Sequence, residues 1–129
     1  MPIYKTKTFK LSIAALIILF IIISTIVNLN SYSHRIYDQS QKAFNIIESA
    51  YKEGRELSDY EKSQLDDFID LKNQYVEKYN KEEATKKEEK DVVLLYAVGR
   101  IVESYSTNMD KEKRDLFNEQ YKQAKILLD

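Results

Sequence analysis

Only two glycines, Gly54 and Gly99, and one proline, Pro2, occur in 129 residues. A sheet needs frequent tight turns, and those turns draw on residues that tolerate left-handed or fixed backbone angles. A chain with so few is confined to helices joined by a small number of connections, and its apolar residues do recur at intervals of three and four. The expected class is all-α: one N-terminal transmembrane helix followed by a small antiparallel bundle of about four helices.

The transmembrane expectation comes from Leu11 to Leu29, LSIAALIILFIIISTIVNL, nineteen positions without a charge. As a helix this run reaches about 28 Å, close to the ~30 Å hydrocarbon core, so one span is feasible. Its Leu, Ile, Phe and Val residues each favour insertion by about 0.3–0.6 kcal/mol, which outweighs Ser12, Ser24, Thr25 and Asn28. Lys5, Lys7 and Lys10 precede the run with no acidic residue among them. The positive-inside rule then puts the N-terminus in the cytoplasm, although Arg35 and Lys42 blunt the asymmetry. Tyr4, Tyr32 and Tyr37 flank the span, where amphipathic rings favour the headgroup zone. The expected division is a basic leader over 1–10, an anchor over 11–29 and an extracytoplasmic helical domain over 30–129. A cleaved secretory signal is the rival reading, since Ser31-Tyr32-Ser33 offers small residues at the two positions a signal peptidase reads; the chain would then be secreted. The run exceeds the usual apolar length of such signals, which favours the uncleaved anchor.

Four helical stripes follow. The first, 33–53, carries Ile36, Ala43, Phe44, Ile47, Ala50 and Tyr51 on one face, with Gly54 as a left-handed stop. No Gly or Pro separates it from the anchor, so it can continue the membrane helix unless Asn28, Asn30, Ser31 and Ser33 loosen the join. The second, 58–79, opens on the capping box Ser58-Asp59-Tyr60-Glu61 and places Leu65, Phe68, Ile69, Lys72, Tyr75, Val76 and Tyr79 on its stripe. The charged segment KEEATKKEEKD then reads as an elbow, with Thr85-Lys86-Lys87-Glu88 as a further capping box. One unbroken helix is the opposing reading, supported by the pairs Glu82 to Lys86 and Glu83 to Lys87. The third helix, 86–105, contains VVLLYAVGRIV, apolar nearly all round and hence central; eleven residues interrupted by Gly99 and Arg100 are too few for a second span. The last, 110–128, aligns Leu116, Phe117, Tyr121, Ala124, Leu127 and Leu128.

Composition narrows the chemistry. Without the three leader lysines, 17 basic residues stand against 21 acidic ones, which speaks against nucleic acid as a partner. There is no cysteine, so packing alone holds the domain and thiolate catalysis is excluded. Lysines, isoleucines, tyrosines and asparagines of A+T-rich codons point to a low-GC bacterium or one of its mobile elements. His34 is the only histidine and has no second His or Cys with which to build a transition-metal set. No phosphate-binding glycine loop, nucleophile elbow or calcium loop occurs, so no cofactor or metal is expected. The pairs Asp66 with Asp67 and Glu88 with Glu89 fall on polar faces and read as solvated surface. The tyrosines read mostly as rim residues with the ring inward and the hydroxyl in water. Gly99 in the most apolar helix reads first as a close helix crossing. Its functional alternative is a recognition patch of Tyr96, Gly99, Arg100 and Tyr105, residue types enriched at binding hot spots.

These features lead to an expected non-enzymatic, single-pass membrane protein whose helical domain binds an envelope or surface protein as a regulator or assembly subunit, with homo-oligomerisation left open. An exclusion or immunity factor of a phage or conjugative element is the alternative within that class. The layout of anchor, stalk and bundle also resembles, in outline, the four-helix ectodomains of bacterial chemoreceptors, which implies a sensory ligand-binding domain. No second span or signalling domain follows Asp129, so the resemblance is one of layout and carries no functional positions with it.

Overall fold

In the computed structural model, which describes residues 32–129, the first helix stops at the first glycine. α1 (His34–Glu53) gives way to Gly54 at φ 64°, the left-handed region that a side chain resists. The Gly54 and Arg55 amides donate back to the carbonyls of Tyr51 and Ala50 (3.2 and 3.1 Å), which satisfies two of the helix's open acceptors. The inward stripe is Ile36, Ser40, Ala43, Phe44, Ile47 and Ala50, while Tyr51 at the end is half-buried. The expected leader (1–10) and anchor (11–29) lie outside the described residues.

α2 (Asp59–Asn80) starts on the Ser58–Glu61 capping box, with the Glu61 amide donating to Ser58 Oγ (3.1 Å) and the Ser58 amide to Glu61 Oε1 (2.9 Å). Its buried stripe is narrower than the sequence suggests: Leu65, Phe68 and Leu71 are inside, whereas Ile69, Lys72, Tyr75, Val76 and Tyr79 are only half-covered. The reason is its place at the edge, where α1 and α3 cover it and α4 does not.

The charged segment is an elbow. α2 ends at Asn80 and α3 (Lys86–Ser104) begins after Thr85. Glu82 adopts φ 59°, and the amides of Glu82 and Glu83 return to Tyr79 and Lys78 (3.0 and 2.9 Å). This is the same closing pattern as at Gly54, made without a glycine. A second capping box then restarts the chain, with the Glu88 amide on Thr85 Oγ1 and the Thr85 amide on Glu88 Oε1 (both 3.2 Å).

α3 buries Val92, Val93, Leu94, Leu95, Val98, Gly99 and Ile101 and packs against all three other helices. α4 (Lys111–Leu128), capped by Asp110 Oδ1 on the Lys113 amide (2.8 Å), buries Phe117, Gln120, Ala124, Leu127 and Leu128. Leu116 was expected on that inward face and is instead 54 % exposed. Adjacent helical residues point about 100° apart, and Phe117 holds the inward position. The described residues are thus all-helical, a bundle of four helices without strands, and no helix among them is long and apolar enough to cross a membrane.

The tyrosine hydroxyls depart from expectation. Tyr37 donates to the Leu128 carbonyl (2.7 Å), Tyr51 to Asn118, Tyr105 to the Arg55 carbonyl and Tyr121 to Glu48, each on a different element. The rings of Tyr51, Tyr105 and Tyr121 cluster with Phe44 and Phe117, for example Tyr51 to Phe117 at 4.7 Å and Phe44 to Tyr121 at 5.2 Å. The rings sit at the boundary between α1, α3 and α4, where acceptors from a neighbouring helix lie closer than bulk water.

Because Glu82 holds a left-handed conformation, Glu82→Gly is expected to stabilise the chain by roughly 0.5–1 kcal/mol, read as a rise in melting temperature. A comparable loss of stability would instead indicate an unbroken helix through this segment.

Candidate functional site

Three helices pack on α3, and among the residues they leave partly open are Glu89, Lys90, Tyr96, Ala97 and Arg100 on one side, with Glu103 and Ser104 exposed at the end and Glu88 and Val102 half-covered elsewhere on the helix. On that side the Arg100 guanidinium lies 5.8 Å from the centre of the Tyr96 ring, a cation–π arrangement one turn apart. Tyr96 and Arg100 are therefore neighbours on a half-exposed strip.

Gly99 and Tyr105 face elsewhere. Gly99 is buried beneath the stem of Lys72, whose Cδ would come within 3.0 Å of a Cβ placed there. The lysine chain crosses the helix over this gap and ends on Glu103 at 2.6 Å, so its charge reaches solvent while its methylenes pack. Tyr105 turns towards α1 and α4, ringed by Tyr51 (6.5 Å) and Phe117 (6.0 Å), with its hydroxyl on Arg55. Of the four expected patch residues, the fold brings two together on a half-exposed strip and places the other two in helix contacts.

Arg55 is the polar centre of the α1–α2 turn. Its Nη1 and Nη2 grip both oxygens of Glu61 (2.8 and 3.0 Å) and its Nε binds Glu53. The guanidinium, together with the Ser58 amide, holds the Glu61 carboxyl down at about 2 from its ordinary 4.5. Glu88, expected to be solvated, is engaged in the same way: it closes the Thr85 cap and pairs with Lys78 at 2.7 Å, which lowers its carboxyl. Asp66 and Asp67 are exposed.

Sequence reading missed Asp91. Its carboxylate is 1 % exposed, with Oδ1 accepting the Ser33 amide (3.0 Å) and Oδ2 the Ser33 hydroxyl (2.6 Å). Beside it, burial and then the Asp91 charge push the Tyr32 phenol up to about 12, and the Tyr32 hydroxyl is covered without a hydrogen-bond partner. A spacing signal existed, since Asp91 precedes Leu95 by four and Val98 by seven and so lies on the inward stripe.

A depression of about 340 Å³ at the α3–α4 turn is lined by Ser104, Ser106, Asn108, Met109, Leu116 and Gln120, among others. The hydroxyls there already donate, Ser104 to the Arg100 carbonyl and Ser106 to Asn108, so neither is poised on a base. His34 is exposed and faces Asp38 at 3.1 Å. Among the described residues no three His, Cys, Asp or Glu side chains converge in a way that could hold a metal ion. Compared with protein-family models, curated proteins and solved structures, the chain finds no match.

Two outcomes follow. Gly99→Ala is expected to change stability by less than about 1 kcal/mol, because the gain in helix propensity offsets displacement of the flexible Lys72 stem, whereas Gly99→Leu should cost about 1–3 kcal/mol in denaturant unfolding. For the turn, a folded value below the unfolded one means that the Glu61 contribution is present above pH 4.5 and is lost as pH falls through about 2. The melting temperature of the native chain should therefore exceed that of Glu61→Gln at neutral pH, and the gap should close across that acid range.

Proposed function

We propose that this chain is a non-enzymatic, single-pass membrane protein whose bundle, held outside the cytoplasmic membrane by residues 11–29, binds another envelope protein through the open strip of α3. The observation that carries the reading is a complete helical core behind an uncharged nineteen-residue apolar run. Tethering suits such a module, since confinement to a thin layer raises its effective concentration against membrane partners and lets a modest interface suffice. Tyr96 and Arg100 support the choice of strip. Tyrosine and arginine supply contact area and directional hydrogen bonds, and here their contact with each other lowers the entropy left to lose on binding. A regulator or assembly subunit fits these features better than a catalyst, which would need a desolvated acid, base or nucleophile directed at an open site.

The test uses the full chain in cells. Protease added to intact cells should remove a C-terminal tag and spare an N-terminal one; full protection would reverse the orientation. A photo-crosslinking residue at Tyr96 or Arg100 should give a discrete adduct that the same residue at Asp66 does not. Equal capture from all three positions, or none, would count against the strip as the binding face.

A further inference from the structure

Three of the four helices cap their own N-termini. Ser58 and Thr85 each form a capping box and Asp110 accepts the Lys113 amide. α1 does not. Its N-cap, Ser33, makes no side-chain capping bond, no acidic residue lies in its first turn, and its first two residues are His34 and Arg35. A helix start of this kind, with open amides and basic residues at the positive end of the dipole, is unfavourable by itself.

The start of α1 is tied instead to other helices. Both donors of Ser33 go to Asp91, 58 residues further along the chain, and Tyr37 donates to the Leu128 carbonyl at the end of α4. The carboxylate is as dependent on Ser33 as Ser33 is on it, because a charge buried to 1 % exposure is costly unless hydrogen-bonded. Ser33 also stands at φ −59°, ψ 133°, outside the helical region, so its bonds to Asp91 are formed only while the helical path is broken at this residue.

We propose that Asp91 is a latch: docked on Ser33, it sets where α1 begins, and on release Tyr32, Ser33 and the first turn of α1 open as a unit while α2, α3 and α4 stay folded. The latch is a conformational device at the start of α1. It does not rest on the membrane reading, since the contacts that define it all lie within residues 32–129.

Residue-resolved amide hydrogen exchange on the full chain in mild detergent tests it. In Asp91→Asn, exchange at Ser33 and at Tyr37 to Ser40 is expected to accelerate about tenfold or more, with the amides of Leu94 to Ile101 and of α2 and α4 changed by less than about threefold. Unchanged exchange at Ser33 and Tyr37 to Ser40 would overturn the proposal. Uniform acceleration across all four helices would do so as well, by making Asp91 an ordinary core residue. Should Asp91→Asn fail to fold, Ser33→Ala decides the matter. It keeps the amide bond and loses the hydroxyl, so a local acceleration of about threefold supports the latch, and a global change or none refutes it.

Discussion

The bundle depends on one burial, that of α3 among its neighbours. Val92, Val93, Leu94, Leu95, Val98 and Ile101 are each 3 % exposed or less, and removing such side chains from water is worth about 1.5–3 kcal/mol apiece as an upper estimate. Together that is on the order of 10 kcal/mol, against roughly 1 kcal/mol for a typical hydrogen bond. α1, α2 and α4 each spend their inward stripe on this helix, and α2 and α4 have little or no contact with each other. A substitution that swells α3 is therefore felt by every other element, which is why the gap at Gly99 and the lysine stem laid across it matter to the whole domain.

Polar interactions do a different job, placing ends and turns rather than supplying the bulk of stability. Arg55 joins Glu53 and Glu61 across the α1–α2 turn, Lys78 joins Glu88 across the elbow, and four tyrosine hydroxyls tie one element to another. Most of these bonds lie at the edge of the core, half in water, where each adds little and fixes geometry well. Asp91 is the exception. Its burial gives the Ser33 contact a cost of failure that the surface pairs do not have. Among the described residues, the one buried carboxylate thus lies at the helix start whose N-cap makes no side-chain capping bond.

For function, the proposed binding strip and the proposed latch are separate places in the bundle. Tyr96 and Arg100 lie half-exposed on α3, while Ser33 and Asp91 meet at the start of α1. Both are carried by α3, one on its open side and one on its buried side.

Much of this was legible in the residues. Scarce glycine and proline dictated helices, periods of three and four located the four stripes, and the capping boxes at Ser58 and Thr85 marked two starts, because each of these signals acts within a turn or two of backbone. The elbow was ambiguous because its left-handed residue is Glu82 and not glycine, so local propensity alone did not mark the break. The choice of Phe117 over Leu116 for the inward position, the tyrosine hydroxyls' partners, the parting of Gly99 and Tyr105 from Tyr96 and Arg100, and the union of Ser33 with Asp91 were decided only in three dimensions. Each depends on which helix lies opposite: the spacing of Asp91 marks it as inward, but nothing local names a donor 58 residues away.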